Sequence, residues 1–419
     1  MKKIFRIFFL IVLAIFLVSV ENAFPSGESH ARSLGLGGCY TTLASGVEAP
    51  FWNPANLGFP QNPRFSFNLF SLGTRLGNNS FSLKDYNHYN GKFLTQSDKD
   101  KILNSIPSDG FDLNLDLEAS FPGLSYRQFA VTTQVSGIST FSVPKTPFEL
   151  LLFGNKLNEN VILDQANSEA CAYLSLVFSH GRKVIKIKNK EIYAGINLKW
   201  IKGIGYQKTI KAEGNFITRE TEIEGEASFV SREALGGEGY GLDFGWATFL
   251  NEKYTLGLFI LNPFNQIKWN KNAKERGYEI AVNSLTLENF DEDSVKKEEN
   301  FERDLGSFVT HLPTVINLGL SRKTSELILI FNWKQGFKNC AGSSKTPELS
   351  FGTEYYLLSW LPLRCGVALG GREGFSFATG MGIDLGSSHL DFGISTPKGI
   401  LPSGGKGISF ALNCWFEIK

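Results

Sequence analysis

Five histidines, His30, His88, His180, His311 and His389, are the side chains best suited to proton transfer near neutral pH, and they lie far apart along the chain. A hydrolytic centre would need one of them beside a nucleophilic serine, and no serine stands in a nucleophile-elbow pattern. His311, just before Pro313, is the one histidine with a setting worth locating. The acidic residues Asp291, Glu292, Asp293, Glu298, Glu299, Glu302 and Asp304 have the chemistry of a divalent-cation site. Lys296, Lys297 and Arg303 interrupt them and no calcium-loop spacing appears, so Asn289 to Leu305 reads as a solvated loop. Gly237, Gly239 and Gly241 resemble a phosphate-binding run, but more strand follows instead of a helix, which makes them inward-facing strand glycines. Cys39, Cys171, Cys340, Cys365 and Cys414 form no CxxC pair and are odd in number, so at least one thiol stays unpaired or pairs between molecules. Leu36, Gly37, Gly38 and Cys39 imitate a lipoprotein cleavage box, too far beyond any apolar run to be cut there. The chain is therefore expected to have no catalytic residue, no metal and no cofactor.

The elements that carry these residues are strands. Residues 407–419, GISFALNCWFEIK, place Ile408, Phe410, Leu412, Cys414, Phe416 and Ile418 on one face and mostly small or polar side chains on the other. The pattern recurs. Tyr240, Leu242, Phe244 and Trp246 alternate with Gly241, Asp243, Gly245 and Ala247; Leu363, Cys365, Val367 and Leu369 alternate with Arg364, Gly366, Ala368 and Gly370; Phe375, Phe377, Met381 and Ile383 alternate with Ser376, Ala378, Gly380 and Gly382. A water-facing sheet surface would carry long Lys, Glu and Thr side chains. Large apolar residues opposite glycine, serine and isolated charges fit lipid on one side and a crowded lumen on the other. The fold class is all-β, a transmembrane antiparallel β-barrel of about 14 strands, for which about 11 residues each leave ample chain for loops.

The opening MKKIFRIFFLIVLAIFLVSVENAF has basic residues, an apolar run from Ile7 to Val20 and small or polar residues to Ala23, the layout of a cleaved export signal over residues 1–23. After residue 23 no apolar stretch suffices for a spanning helix, although 13% of residues are aromatic and 42% hydrophobic. With 42 Lys and Arg against 41 Asp and Glu, nothing recruits nucleic acid. Residues 24–61 are Gly-, Ala- and Ser-rich without alternation and form a separate N-terminal segment; the barrel occupies 62–419. Within it, RFSFNLFSL begins the strands at Arg64, a polar stretch before Gly110 makes a long loop, and a hairpin turns near Arg127. HGRKVIKIKNK reads as a basic turn, Thr209 to Ser231 as strands projecting beyond the membrane, and Asn251 to Lys253 as a turn. Thr314 to Lys419 is an almost unbroken meander. Lys145 to Asn160 breaks the alternation in helical turns whose Phe148, Leu151, Leu152 and Phe153 form a candidate apolar loop contact.

The segment ARSLGLGGCYTTLASGVEAPFWNPANLGFP, residues 31–60, resembles the N-terminal signature of the FadL-type fatty-acid transporters and PorV-type outer-membrane proteins. The matching positions are Gly35, Gly37 and Gly38 of the glycine-rich stretch, and Asn53, Pro54 and Ala55 of the NPA turn. The resemblance implies a hatch packed inside the barrel, and location in a bacterial outer membrane among its lipids. Two departures stand out: only Glu48 remains of an acidic run usual in the family, and the chain end, Phe416 to Lys419, lacks the terminal aromatic residue many outer-membrane barrels carry, leaving Phe416 as the nearest candidate assembly signal. The resemblance implies passive transport of hydrophobic small molecules such as long-chain fatty acids, with the hatch moving around Asn53, Pro54 and Ala55. The alternative it carries is a PorV-like barrel that binds secretion-machinery proteins or their cargo.

Overall fold

The structure, a computed structural model, describes residues 30–418 apart from 164–165, 189, 287–288 and 290–295; the expected export signal lies outside the described residues. From Phe65 the chain is an antiparallel meander. Its first strands are β1 (Phe65–Asn78), β2 (Phe111–Tyr126), β3 (Phe129–Val143), the short β4 (Asn160–Ile162), β5 (Asn167–Ile187), β6 (Lys190–Thr218) and β7 (Ile223–Phe249). There follow β8 (Tyr254–Trp269), β9 (Lys274–Leu285), β10 (Lys296–Asp304), β11 (Phe308–Thr310), β12 (Val315–Lys323) and β13 (Leu327–Gly336). The last are β14 (Glu348–Leu358), β15 (Leu361–Gly370), β16 (Gly374–Leu385), β17 (Ser388–Pro397) and β18 (Gly407–Ile418). β4, β9 and β10 lie outside the wall, and β11 and β12 run along β8 as one interrupted strand, so 14 strands make the wall among the described residues. It closes where β1 pairs β18, from Phe65 opposite Ile418 to Gly77 opposite Gly407.

The two faces of the wall differ as the alternation requires. Leu72, Phe121, Trp200, Tyr240, Phe264, Phe351 and Phe410 stand exposed on the outside, while Ser71, Ser120, Asn197, Asp243, Ser350, Arg364 and Ser409 are buried within. A continuous exposed apolar belt of this extent is stable only under a hydrocarbon layer. Cys365 and Cys414 lie on the outer face, flanking buried inward residues.

One end of the barrel has tight turns, at 127–128, between Ile187 and Lys190, and at 250–253, 324–326, 359–360 and 386–387, and the other has the long connections. Local chemistry sets the turns: the Asn251 side chain accepts from the Lys253 and Tyr254 amides, and Gly386 supplies a φ of 71°. In the first long loop, helices Leu83–Tyr89 and Gln96–Ser105 start in capping boxes built by Ser82 with Asp85 and Thr95 with Asp98.

Three expectations need correction. HGRKVIKIKNK is mostly strand, since Arg182 to Ile187 pair with Lys190 to Ala194. Lys296–Asp304 is not loop but β10, paired along its length with β9, so its charges decorate a strand. The first strand runs on to Asn78, past Leu72, because a bulge between Asn68 and Phe70 puts Leu69 and Phe70 side by side and resets the alternation. Above the wall β4, β6, β7, β9 and β10 form an outer sheet, the continuation of β6 and β7 that Thr209 to Ser231 foreshadowed.

Candidate functional site

Residues 30–63 run inside the wall and plug the lumen. At two places backbone lies on backbone. The Asn53–Ala55 turn rests on paired glycines Gly181, Gly195 and Gly245, where a Cβ would collide with the Pro54 carbonyl or the Asn53 side chain. The stretch Ala31–Gly37 rests on Gly352, Gly366, Gly380 and Gly393, where a Cβ would meet Leu36, Gly35 or the Ala31 carbonyl. Glycine on the inward face is thus the imprint of the plug. Asn53 closes the helix Ala49–Trp52 and opens the turn Pro54–Gly58; its side-chain oxygen accepts from the Ala55 amide and its amide donates to the Trp246 carbonyl. Gly35 approaches Gly380, and Gly37, at φ 67°, approaches Val367. A Cβ on Gly38 would make only ordinary contacts, with Glu348 and Ser350, and the position is glycine for its φ of 87°.

Charge fixes the plug at its other contacts. Arg32 donates two parallel bonds to Glu354 on β14, at 2.8 and 2.7 Å. Glu354 also accepts from Arg364 on β15 (2.6 Å), which donates in turn to Asp391 on β17 (2.5 Å). Both wall carboxylates are fully buried. Across the barrel Asn197 donates to the Pro50 carbonyl and to Asp243, which also accepts from the Asn262 amide and pairs with Lys199 at 2.7 Å. Inside the plug, Glu48 accepts from Tyr40 (2.5 Å) and faces His30 (3.3 Å). Burial alone would raise the Glu48 carboxyl, yet the bonds from His30 and Tyr40 outweigh it and hold the group below the ordinary carboxylate range.

Between plug and loops lies a cavity of about 220 Å³. Phe51 and Trp52 of the plug, with Ile138, Val177, Phe259 and Leu261 of the wall, supply its apolar lining. Its polar lining includes Arg75, Asp116, Arg372 and Glu373, which form one cluster: Arg372 reaches from the 371–373 connection to Asp116 on β2, and Arg75 lies 3.9 Å from Asp116 and 4.0 Å from Glu373.

The apolar loop residues sit elsewhere. The helix Lys145–Phe153 packs against Gln96–Ser105, with Leu152 buried, Phe148 against Phe111 at 5.7 Å and Lys99 over the Phe153 ring at 5.9 Å; none of Phe148, Leu151, Leu152 and Phe153 lines the cavity. The histidines stay apart: His311 bonds the Asn265 carbonyl at 2.6 Å, His389 faces Asp384 at 2.8 Å, and His180 stacks on Phe129. Among the described residues no group of three or more His, Cys, Asp or Glu is placed to hold a metal ion. Sequence reasoning missed Arg32, Glu354 and Asp391 as a unit. The available signal was a lone charge on an inward face, as at Arg364 between Leu363 and Cys365.

A model of a protein family of unknown function, DUF5723, matches residues 54–231. No curated protein matches the chain. Among solved structures, a TodX monoaromatic hydrocarbon channel with a deltaS2S3 mutation aligns over 93% of this chain and 98% of its own, at 13% identity and a TM-score of 0.52. A Pseudomonas aeruginosa FadL homologue aligns over 95% of this chain and 100% of its own, at 13% identity and 0.51. The CymD monoaromatic hydrocarbon channel covers 95% of this chain and 98% of its own, at 12% identity and 0.50. At such identities the similarity establishes the barrel fold alone.

Proposed function

We propose that this chain is an outer-membrane barrel that lets small hydrophobic molecules pass by diffusion through a plugged lumen. The observation that carries the reading is the cavity on the plug, where Phe51 and Trp52 face Ile138, Val177, Phe259 and Leu261. Its size favours a single-ring molecule over an extended acyl chain, since an apolar cavity of roughly 150 Å³ accommodates benzene. The names of the structurally similar hydrocarbon channels agree with that preference. Passage requires the plug to shift, and the Pro50–Trp52 corner bordering the cavity is the part whose displacement would open it. A fluorobenzene probe followed by ¹⁹F NMR tests the site: it should bind the detergent-purified protein and be lost from Val177→Phe, whose heat-modifiable gel mobility is unchanged. Equal binding by both proteins would overturn the assignment.

A second reading, a barrel that holds secretion partners or cargo, draws on the outer sheet. The 29 residues of β6 span roughly 95 Å along the strand and, tilted by about 40°, rise far beyond the ~25 Å apolar band. Stoichiometric protein partners copurifying from the native membrane, without a bound apolar molecule, would favour it.

A further inference from the structure

The hairpin of β5 and β6 leaves the wall at the tight-turn end. β3 stops supporting it at Phe129 opposite His180, and β7 at Thr248 opposite Ile192, so β5 from Arg182 onward and β6 before Ile192 have no third strand beside them. Tyr193 turns inward onto Phe59, which puts Ile192, its partner Ile185, and then Ile187 on the outer face. That face continues the exposed apolar row of the wall: Phe178 is 47% exposed, Ile185 and Ile187 each 50%. At the same tip Arg182 and Lys190 share the outer face with the isoleucines, Lys188 follows Ile187 at the turn, and Lys183 and Lys186 lie on the opposite face, where Glu191, paired with Lys183 at 2.8 Å, is the one carboxylate. Arg127 occupies the adjacent turn, where Gln128 accepts from the Gly181 amide.

We infer that this hairpin is an interfacial anchor for anionic phospholipid headgroups. Two independent features argue for lipid: the apolar row is continuous with the lipid-facing belt, and the charge is of the sign that phosphate attracts. A hairpin meant for water would have no reason to keep isoleucines on the face that the belt shares, and a tip meant only for hydrocarbon would not carry four lysines. The isoleucines enter the headgroup boundary while the Arg182 and Lys190 stems lie along it beside them and Lys188 and Lys186 reach from the tip, bringing their charged groups to the phosphates. The surface therefore selects among lipids without touching the lumen, and it holds whether or not the barrel transports.

The full-length protein, reconstituted in nanodiscs of phosphatidylcholine with and without phosphatidylglycerol, provides the test, read by native mass spectrometry of retained lipid. Each lysine near a charged surface strengthens association roughly fivefold at low salt. The protein should retain phosphatidylglycerol over phosphatidylcholine by on the order of tenfold, and K186Q/K188Q/K190Q should fall toward parity with an unchanged melting midpoint in phosphatidylcholine alone. I185N/I187N should weaken retention of both lipids. Retention without headgroup preference, or a preference that survives the triple substitution, would overturn the proposal. So would capture of an acidic protein by the hairpin with no lipid preference, which would reassign the surface.

Discussion

Arg32 is the side chain that ties the plug to the wall by an ion pair. It satisfies both oxygens of a fully buried Glu354; removing one partner of a buried pair costs about 3–5 kcal/mol when the remaining charge is left alone, and less here because Arg364 still bonds Glu354. Arg32→Met should therefore loosen the plug while leaving the strands paired: added protease should cleave between residues 30 and 63, and the heat-modifiable gel shift should persist. Protection equal to wild type would mean the ion pairs contribute little. Glu48 gives the plug a pH dependence. Its folded carboxyl is held below its ordinary value of 4.5, so its stabilisation is fully present above that value and disappears as pH falls through the depressed one. Protection of the amides in residues 30–63, corrected for intrinsic exchange, should fall as pH drops below the ordinary carboxylate value of 4.5, and Glu48→Gln should flatten that response. At this scale the sequence displayed the off-pattern charges, such as Arg364 and Asp391, but not their pairing, which depends on strands brought together by closure.

Element by element, the glycines on the inner face were legible and their reason was not. Crowding within a lumen predicts small residues in general; the structure places specific paired glycines under the Pro54 carbonyl and under Leu36. Gly245→Ala should strain the seat of Asn53 and destabilise the plug by about 1–3 kcal/mol, seen as a lower midpoint for protease protection of residues 30–63. Gly205→Ala, in open space on β6, should leave that midpoint unchanged. Strands with clean alternation, such as β15, β16 and β18, were read directly. β10 escaped because its charges outnumber its apolar residues, and the two ends of the β5–β6 hairpin because lysines hid the continuing pairing. The bulge at Leu69 and Phe70 hid the far half of β1 by shifting its phase.

Over the whole molecule, the architecture follows from one requirement, that every strand edge be paired within a hydrocarbon layer. Closure of β18 on β1 meets it, and the lumen that closure creates is filled by the chain's own N-terminal segment. The reading as a conduit depends on that filling being displaceable. The most direct measurement is uptake of a labelled single-ring hydrocarbon into vesicles whose outer leaflet is lipopolysaccharide, which slows passage through the bilayer itself. Vesicles carrying the protein should load faster than empty ones, and those carrying Val177→Phe should load at the empty-vesicle rate. Loading no faster than empty vesicles would contradict the account.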